Sequence, residues 1–185
     1  TASKLRDPLS IAFAFVATHN HFLLDRGGKV FNRHAQVIKL SHDAGETDHL
    51  GLLGLLNSSV ACFWLKQVSF NKGDSTDARG ARTTGDPAFD TYEFGSSMVA
   101  KLPIAEPRPT EVSKRLDSLA AALASSQPEA LCSAIGNAGS ALLSQSVLTA
   151  ARLQADSLRG QMIAHQEELD WQCYTLYGLV PYEAG

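Results

Sequence analysis

The first half of the chain is a series of short apolar runs separated by turn-forming residues. Residues 21–31 (HFLLDRGGKVF) place Gly27-Gly28 between two apolar stretches, which predicts two short strands joined by a turn. Further runs have the length and composition of strands, which predicts a small sheet: 11–18 (IAFAFVAT), 34–40 (HAQVIKL), 91–94 (TYEF) and 98–104 (MVAKLPI).

Residues 52–73 (LLGLLNSSVACFWLKQVSFNKG) are apolar on both sides of a polar break at Asn57-Ser58-Ser59. The first side predicts a helix from His49 to about Leu56, which is apolar nearly all round and therefore buried. Thr47 or Asp48 is suited to cap this helix, and Ser58 to cap the next one. In the second helix the apolar side chains recur at helical spacing on one face, with Lys66 facing away: Val60, Phe63, Trp64 and Val68.

Residues 73–90 have a different character from the runs on either side. They contain three Gly, four Asp, two Arg and three Thr, and their apolar residues are three Ala and Phe89. Such a segment is too polar to pack and too long for an ordinary connection between elements. We therefore expect a variable loop that is either functional or disordered.

The second half of the chain is predicted to be helical. Residues 106–110 (EPRPT) form a Pro-rich hinge, and Thr110 is suited to cap a helix whose apolar stripe is Val112, Leu116, Leu119 and Leu123. Pro128 restarts a helix that Gly136-Asn137 ends, and a long helix follows from about Ser140. Its heptad-like seam is expected to pack against a neighbouring helix of the same chain: Leu148, Ala151, Ala155, Leu158, Met162, His165 and Leu169.

Together these patterns predict an α+β fold. A small mixed or antiparallel sheet packs on the helix pair, and a C-terminal helical bundle follows. The predicted division is an α+β domain at 1–105, with the variable loop at 73–90, then the hinge at 106–110 and a helical segment at 111–185.

Composition and charge limit the classes of protein to which the chain can belong. The chain has 185 residues, is 44% hydrophobic and carries a net charge of -3, so charge alone does not indicate a nucleic-acid partner. Residues 1–110 hold 12 basic and 11 acidic side chains, and residues 111–185 hold 4 and 8, so an anionic partner would prefer the first part. No apolar run is long enough to span a membrane, so we expect no membrane partner.

The cysteines and the start of the chain bear on its origin. Cys62, Cys132 and Cys173 are widely spaced, which predicts reduced, mostly buried thiols and a cytoplasmic location. The chain begins TASKLRDPLS without a methionine, and we expect a fragment of a larger protein.

We assign no catalytic residue and no metal ligand. His19-Asn20-His21 spells HNH, but adjacent side chains of a strand point to opposite faces, so we do not expect the two histidines to share a metal ion. The other histidines are isolated, and Cys62 lies in a run that looks buried. No hydrolase, phosphate-loop or zinc-protease motif is present.

A basic and polar set remains as the candidate DNA-binding surface. Arg and Lys neutralise phosphates, and Arg and Asn also read base edges. Ordinary surface charge is the alternative interpretation. The set has one group around the Gly-Gly turn and another on the second helix and the variable loop: Arg26, Lys29, Asn32 and Arg33, then Lys66, Asn71, Lys72, Arg79 and Arg82.

Four blocks in this order carry a family resemblance: DRGGKVFNRHAQVIKL, DHLGLLGLLNSSVACFWLKQVSFNKG, YEFGSSMVAKLPI and EELDWQCYTLYGL. From Lys4 to Leu179 the chain resembles the C-terminal target-recognition region of BREX-type (PglX-like) adenine-specific DNA methyltransferases. More distantly it is similar to the TaqI-like specificity domains of type IIG restriction-modification enzymes.

The resemblance implies a specificity module rather than an enzyme. The family's Asn-Pro-Pro-Tyr loop and its S-adenosylmethionine-binding motifs are absent from this chain, so the cofactor would belong to the methyltransferase domain of the parent chain. The implied partners are double-stranded DNA, that methyltransferase domain and other defence-system proteins, in the bacterial cytoplasm. The alternative is a helical interaction module that docks other subunits of the defence system.

Overall fold

The computed structural model describes residues 8–27, 29–73, 85–138 and 144–181, and the side chains of 134–138 are not described. The elements confirm a mixed α+β fold. The strands are β1 (Ser10–Ala14), β2 (Val16–Ala17), β3 (Phe22–Asp25), β4 (Ala35–Ile38), β5 (Phe70–Gly73) and β6 (Thr91–Glu93). The helices are α1 (Glu46–Leu56), α2 (Ser59–Val68), α3 (Ser96–Val99), α4 (Thr110–Ser125), α5 (Pro128–Ala138) and α6 (Gln145–Leu176), with a 3-10 turn at Pro87–Phe89.

The described strands form two small antiparallel sheets rather than one. The first has the order β3-β1-β4 and the second the order β2-β6-β5. The predicted strand 11–18 is divided at Phe15, whose N–H donates to the carbonyl of His34 (2.9 Å) and whose carbonyl accepts from Phe94 N–H (2.7 Å). The backbone of one residue therefore links the two sheets.

Two predicted strands are wrong. Residues 29–31 after the Gly27 turn pair with no strand of the described ranges, and Val30 is fully exposed, so burial of its side chain does not favour a strand here. Residues 98–104 are not a strand because α3 and a turn occupy their first half. Val99 and Leu102 are buried three positions apart, and Leu102 N–H donates to the Val99 carbonyl (3.1 Å), as in a helical turn.

The helix pair has the predicted break and the predicted Ser58 cap, but the cap of α1 and the buried face of α2 differ from the prediction. α1 begins after Gly45, and Asp48 accepts the Gly45 N–H (2.8 Å) from inside the first turn, so neither Thr47 nor Asp48 is the N-cap. His49–Leu56 are all buried, as predicted. In α2 the buried residues are Ala61 and Leu65, and Phe63 is 69% exposed. Phe63 lies on the helix side opposite the two buried residues, so the predicted apolar face of α2 does not coincide with its buried face.

The break at 57–59 is bonded to three other parts of the fold. The Asn57 amide accepts from Phe22 N–H (3.0 Å) and donates to the Phe22 carbonyl (2.9 Å), which completes the edge of β3. Ser58 caps α2 by accepting from Ala61 N–H (3.2 Å). Ser59 N–H donates to the Asp170 carboxylate (2.7 Å), and the Ser59 hydroxyl to the Tyr174 hydroxyl (2.9 Å), so α6 is held at the same point.

The helical part packs on α1 through a second core. Leu55, Val112, Leu169 and Cys173 are buried together, and α6 packs along α4, which confirms that the seam contacts a helix of the same chain. Pro109 rather than Thr110 is the N-cap of α4, and α5 continues past Gly136-Asn137 to Ala138. α6 begins at Gln145 after a Ser144 cap. The division into domains at 1–105 and 111–185 stays a prediction.

One of the three thiols is buried. Burial raises the pKa of Cys173 to about 11, while Cys62 is half-buried and Cys132 is exposed. The expectation of mostly buried thiols is therefore wrong, because α5 turns Cys132 outward.

α1 approaches α4 closely enough to require glycine. A Cβ at Gly54 would lie 2.0 Å from Ser113 Oγ and 3.2 Å from Pro109 Cγ. A Cβ at Gly51 would lie 2.8 Å from Thr110 Oγ1. These two glycines lie one turn apart and place the start of α4 against the α1 backbone.

Replacing Asn57 is expected to weaken the fold, because Phe22 would lose a donor and an acceptor at once. We expect Asn57→Ala to lower the free energy of unfolding by about 1–3 kcal/mol in urea denaturation. Asn32→Ala, at an exposed turn, is the matched control and should stay within about 0.5 kcal/mol. Equal effects of the two substitutions would contradict the structural role of Asn57.

Alanine should have opposite effects at two helical glycines. Gly54→Ala is expected to lower the free energy of unfolding by about 1–3 kcal/mol despite the better helix propensity of alanine, because Ser113 and Pro109 must move. Gly160→Ala, where the added Cβ would meet no atom of another described part of the chain within 4 Å, should raise it by up to about 1 kcal/mol. Thermal or urea unfolding measures both, and a stabilising Gly54→Ala would contradict the close packing.

Candidate nucleic-acid interface

The second sheet presents one face to the core and the other to solvent. In β6, Tyr92 lies opposite Ala17 and Asn71, and it packs against the main core with Ala17. Glu93 lies opposite Val16 and Phe70, which are 41% and 70% exposed. Directly opposed residues share a face, so Val16, Phe70 and Glu93 form the outer one.

Side chains close the base of the variable loop. Asn71 Nδ2 donates to the Asp90 carboxylate (3.0 Å), and Asn71 Oδ1 accepts from Gly73 N–H (2.6 Å). The Thr91 hydroxyl donates to the Gly73 carbonyl (3.0 Å), and Gly73 has a φ of +74°, which favours glycine. Asn71, a member of the candidate DNA-binding set, thus holds together the strand ends from which the loop leaves.

The cations near this sheet differ in their partners. Lys72 Nζ lies 3.0 Å from Glu93 Oε2 on the outer side. Lys66 Nζ lies 5.1 Å from the centroid of the Tyr92 ring, a cation–π contact, and within the described part of the chain no carboxylate lies within 4.0 Å of it. Arg79 and Arg82 lie outside the described residues.

Exposed phenylalanines near the predicted site were missed by the sequence analysis. Phe70 in β5 is 70% exposed, Phe89 in the 3-10 turn before β6 is 52% exposed, and Phe63 is on the outer side of α2. Aromatic side chains in the runs SFNK and PAFD, next to lysine and to turn residues, were the available signal. Such rings stack on unpaired bases and pack against sugars.

The group around the Gly-Gly turn is not brought together as one basic cluster. Arg26 donates to Glu46 and to Asp117, both at 2.6 Å, and hydrogen bonds to Asp117 and then Glu46 raise the pKa of the guanidinium. It therefore links the end of β3 to α1 and α4. Lys29 and Arg33 are exposed, and Asn32 Oδ1 accepts from His34 N–H (2.9 Å) in a local turn.

The histidines of His19-Asn20-His21 lie side by side. Their ring centroids are 4.1 Å apart, so the two side chains do not point to opposite faces as the argument against a shared metal ion assumed. Residues 18–21 connect β2 to β3 through a bend at Thr18 and His19, and the alternation rule for adjacent residues does not separate two histidines that are two positions apart. Among the described residues no group of three or more His, Cys, Asp or Glu side chains could hold a metal ion.

No helix in the described part of the chain is long and apolar enough to cross a membrane.

The Arg26 network is expected to contribute modestly to stability. Arg26→Gln should lower the free energy of unfolding by about 1 kcal/mol or less, because the arginine and Glu46 are half exposed. The loss should shrink in about 1 M salt, which screens the ion pairs. Lys29→Gln is the control, since Lys29 forms no ion pair with any carboxylate in the described ranges. An Arg26→Gln variant as stable as the control at low salt would show that the network adds nothing.

Comparison with known proteins gives one informative result. No family model matches the chain, and no solved structure matches it. The chain is 47% identical over 171 residues to the adenine-specific methyltransferase PglX of Streptomyces coelicolor. The alignment covers 92% of this chain and 14% of that protein. The chain is therefore homologous to one segment of an adenine-specific methyltransferase, PglX.

Proposed function

We propose that this chain is the DNA target-recognition segment of an S-adenosylmethionine-dependent adenine-specific DNA methyltransferase in a BREX-type phage-defence or restriction-modification system. The observation that carries the proposal is the 47% identity to a segment of PglX across 92% of the chain. Methyl transfer would belong to another part of the parent, since a flipped adenine needs a pocket and a cofactor site. This segment would hold the duplex and select the site.

The β5–β6 hairpin supports a role for the variable loop. The Asn71–Asp90 and Thr91–Gly73 hydrogen bonds join the two strands at the base of the variable loop. Loops that leave a rigid scaffold commonly carry recognition. Arg79 and Arg82 of this loop would reach phosphates or base edges, with Phe70 and Phe89 beside the loop to contact sugars or bases.

The ion pairs rank the proposed contacts. Of the candidate cations in the described part of the chain, Lys29, Arg33 and Lys66 have no carboxylate within 4.0 Å. These are the proposed phosphate contacts, because none of the ion pairs among the described residues must break before they bind. Arg26 and Lys72 would first have to leave their carboxylates, so we propose that they orient the site, as Asn71 and Asn32 do through their local hydrogen bonds.

Duplex binding by the parent methyltransferase and by this chain should depend strongly on salt. The logarithm of the affinity is expected to fall linearly with the logarithm of salt, and each lost phosphate contact should reduce the slope by about 0.9. We expect Arg79→Glu and Lys66→Gln each to weaken binding in fluorescence anisotropy. Lys72→Gln, which avoids placing a carboxylate against Glu93, should have a smaller effect.

The matched control is Arg152→Glu on α6, where the arginine side chain is 85% exposed and far along the chain from the proposed site. It should leave the affinity and the salt slope unchanged. If Arg79→Glu and Lys66→Gln bind and support methylation as the unsubstituted parent does, the proposed surface is not the DNA contact. Equal weakening by Arg152→Glu would indicate a general charge effect instead.

Protein interaction is the second candidate function, favoured by the cleft beside the end of α6. This cleft has a volume of 780 Å³ and is lined by Pro107, Pro109, Leu176, Val180 and the 60% exposed Trp171. Exposed tryptophan beside an apolar cleft is typical of an interaction site. If the methyltransferase domain docks there, Trp171→Ala in the parent should lower methylation while DNA binding by this segment is retained.

A further inference from the structure

We propose that His19, His21 and Lys66 form a binding site for a phosphate group, in the assembled parent a phosphodiester of the DNA backbone. The DNA assignment rests on the proposed function, but the phosphate site stands on the side chains themselves. Neither histidine was among the candidate contacts.

The bend that carries the histidines is hydrogen-bonded to the end of α1. Asn20, between them, is 8% exposed, and its Nδ2 donates to the carbonyl of Leu56 (2.5 Å) at the end of α1. This bond fixes the backbone of the bend on the helix break, and both imidazoles are exposed on its outer side. Buried Asn20 therefore holds two neighbouring ring systems at the surface, with centroids 4.1 Å apart.

Lys66 reaches the same place from α2. Its Nζ lies over the ring of Tyr92, and Tyr92 is paired with Ala17, two residues before His19. The aromatic contact holds the ammonium beside the bend without neutralising it, and within the described residues no carboxylate lies within 4.0 Å of it.

The charges around the two histidines favour the binding of an anion. The pKa of His19 is lowered, first by burial and then by the positive charges of His21 and Lys66. The groove next to the histidines also contains Asp117 and Asp170, but Asp117 accepts from Arg26 and Asp170 from Ser59 N–H. The other ionisable groups lining that groove are Arg26, Lys29 and Cys62.

Phosphate suits this arrangement chemically. Its oxygens can accept hydrogen bonds from protonated imidazoles and from an ammonium group at the same time. Binding would relieve the repulsion that disfavours protonation of His19, so the histidines should take up protons when phosphate binds. A duplex phosphate is the natural source, because the bend lies next to the β2-β6-β5 sheet that bears the variable loop.

Side-chain NMR of the histidine rings tests the site directly. The pKa of His19 and His21 is measured in this chain alone, with inorganic phosphate, and with a duplex. We expect each ligand to raise both pKa values, by about one unit for the duplex, which corresponds to tenfold tighter binding of the protonated form. His42, an exposed histidine in the loop before α1, is the internal control and should not shift.

The sign of the pH dependence follows from that shift. Because binding raises the pKa, duplex affinity should be greatest below the unliganded pKa and fall as the pH rises through the pKa of the bound state. The double variant His19→Gln with His21→Gln should remove this part of the pH dependence, and His42→Gln should not. Both replaced side chains are exposed, and circular dichroism checks that the variant folds.

The outcomes separate the two proposals. If the duplex binds but neither histidine shifts and the double variant keeps the pH dependence, the phosphate site is overturned and the DNA function stands. If inorganic phosphate shifts both histidines but neither this chain nor the parent binds a duplex, the site is supported and the DNA function fails. If neither ligand binds or shifts the rings, both proposals fail.

Discussion

The polar break at 57–59 is the constraint on which the rest of the structure depends. Asn57 supplies the hydrogen bonds that β3 lacks at its edge. Ser59 donates hydrogen bonds to Asp170 and Tyr174 and so binds α6. Asn20 adds a bond from the bend between β2 and β3 to the end of α1. Unpaired buried polar groups destabilise a fold strongly. Each of these hydrogen bonds therefore stabilises one relative arrangement of the elements that it joins over other arrangements. A three-residue interruption in an apolar run thereby sets the relative position of the first sheet, both helices and the long C-terminal helix.

A close approach of backbones complements these bonds. Gly51 and Gly54 leave no space for a side chain between α1 and the start of α4, and Leu55 then joins Leu169 and Cys173 in the second core. Arg26 connects the same elements at the surface through Glu46 and Asp117. The helical part is thus joined to the α+β part by packing, by hydrogen bonds and by charge.

The predictions that depend on a local pattern are accurate. Those that depend on which distant residues pair in the fold are less accurate. The Asn57 break and the Ser58 cap were predictable because they depend on neighbours within four residues. Phe63 was misassigned because hydrophobicity indicates only a preference for burial, and α2 buries the small Ala61 toward the sheets instead. In the candidate site, residue type identified Lys66, Asn71 and Lys72 as polar contacts, but not that Asn71 and Lys72 already have protein partners. Such pairings join residues up to about twenty positions apart, beyond the reach of spacing rules.

The sequence by itself determined the α+β class, the position of the helix break, the seam of the long helix and the homology to a segment of PglX, because periodicity, caps and motifs are written along the chain. Only the tertiary structure decided which charges remain without a carboxylate partner and which histidines face each other. His19 and His21 lie together with Lys66 because β2 pairs with β6 and Lys66 covers Tyr92. Hydrogen-bond pairing and packing across the fold bring these groups together, and neither is encoded by any one stretch of residues.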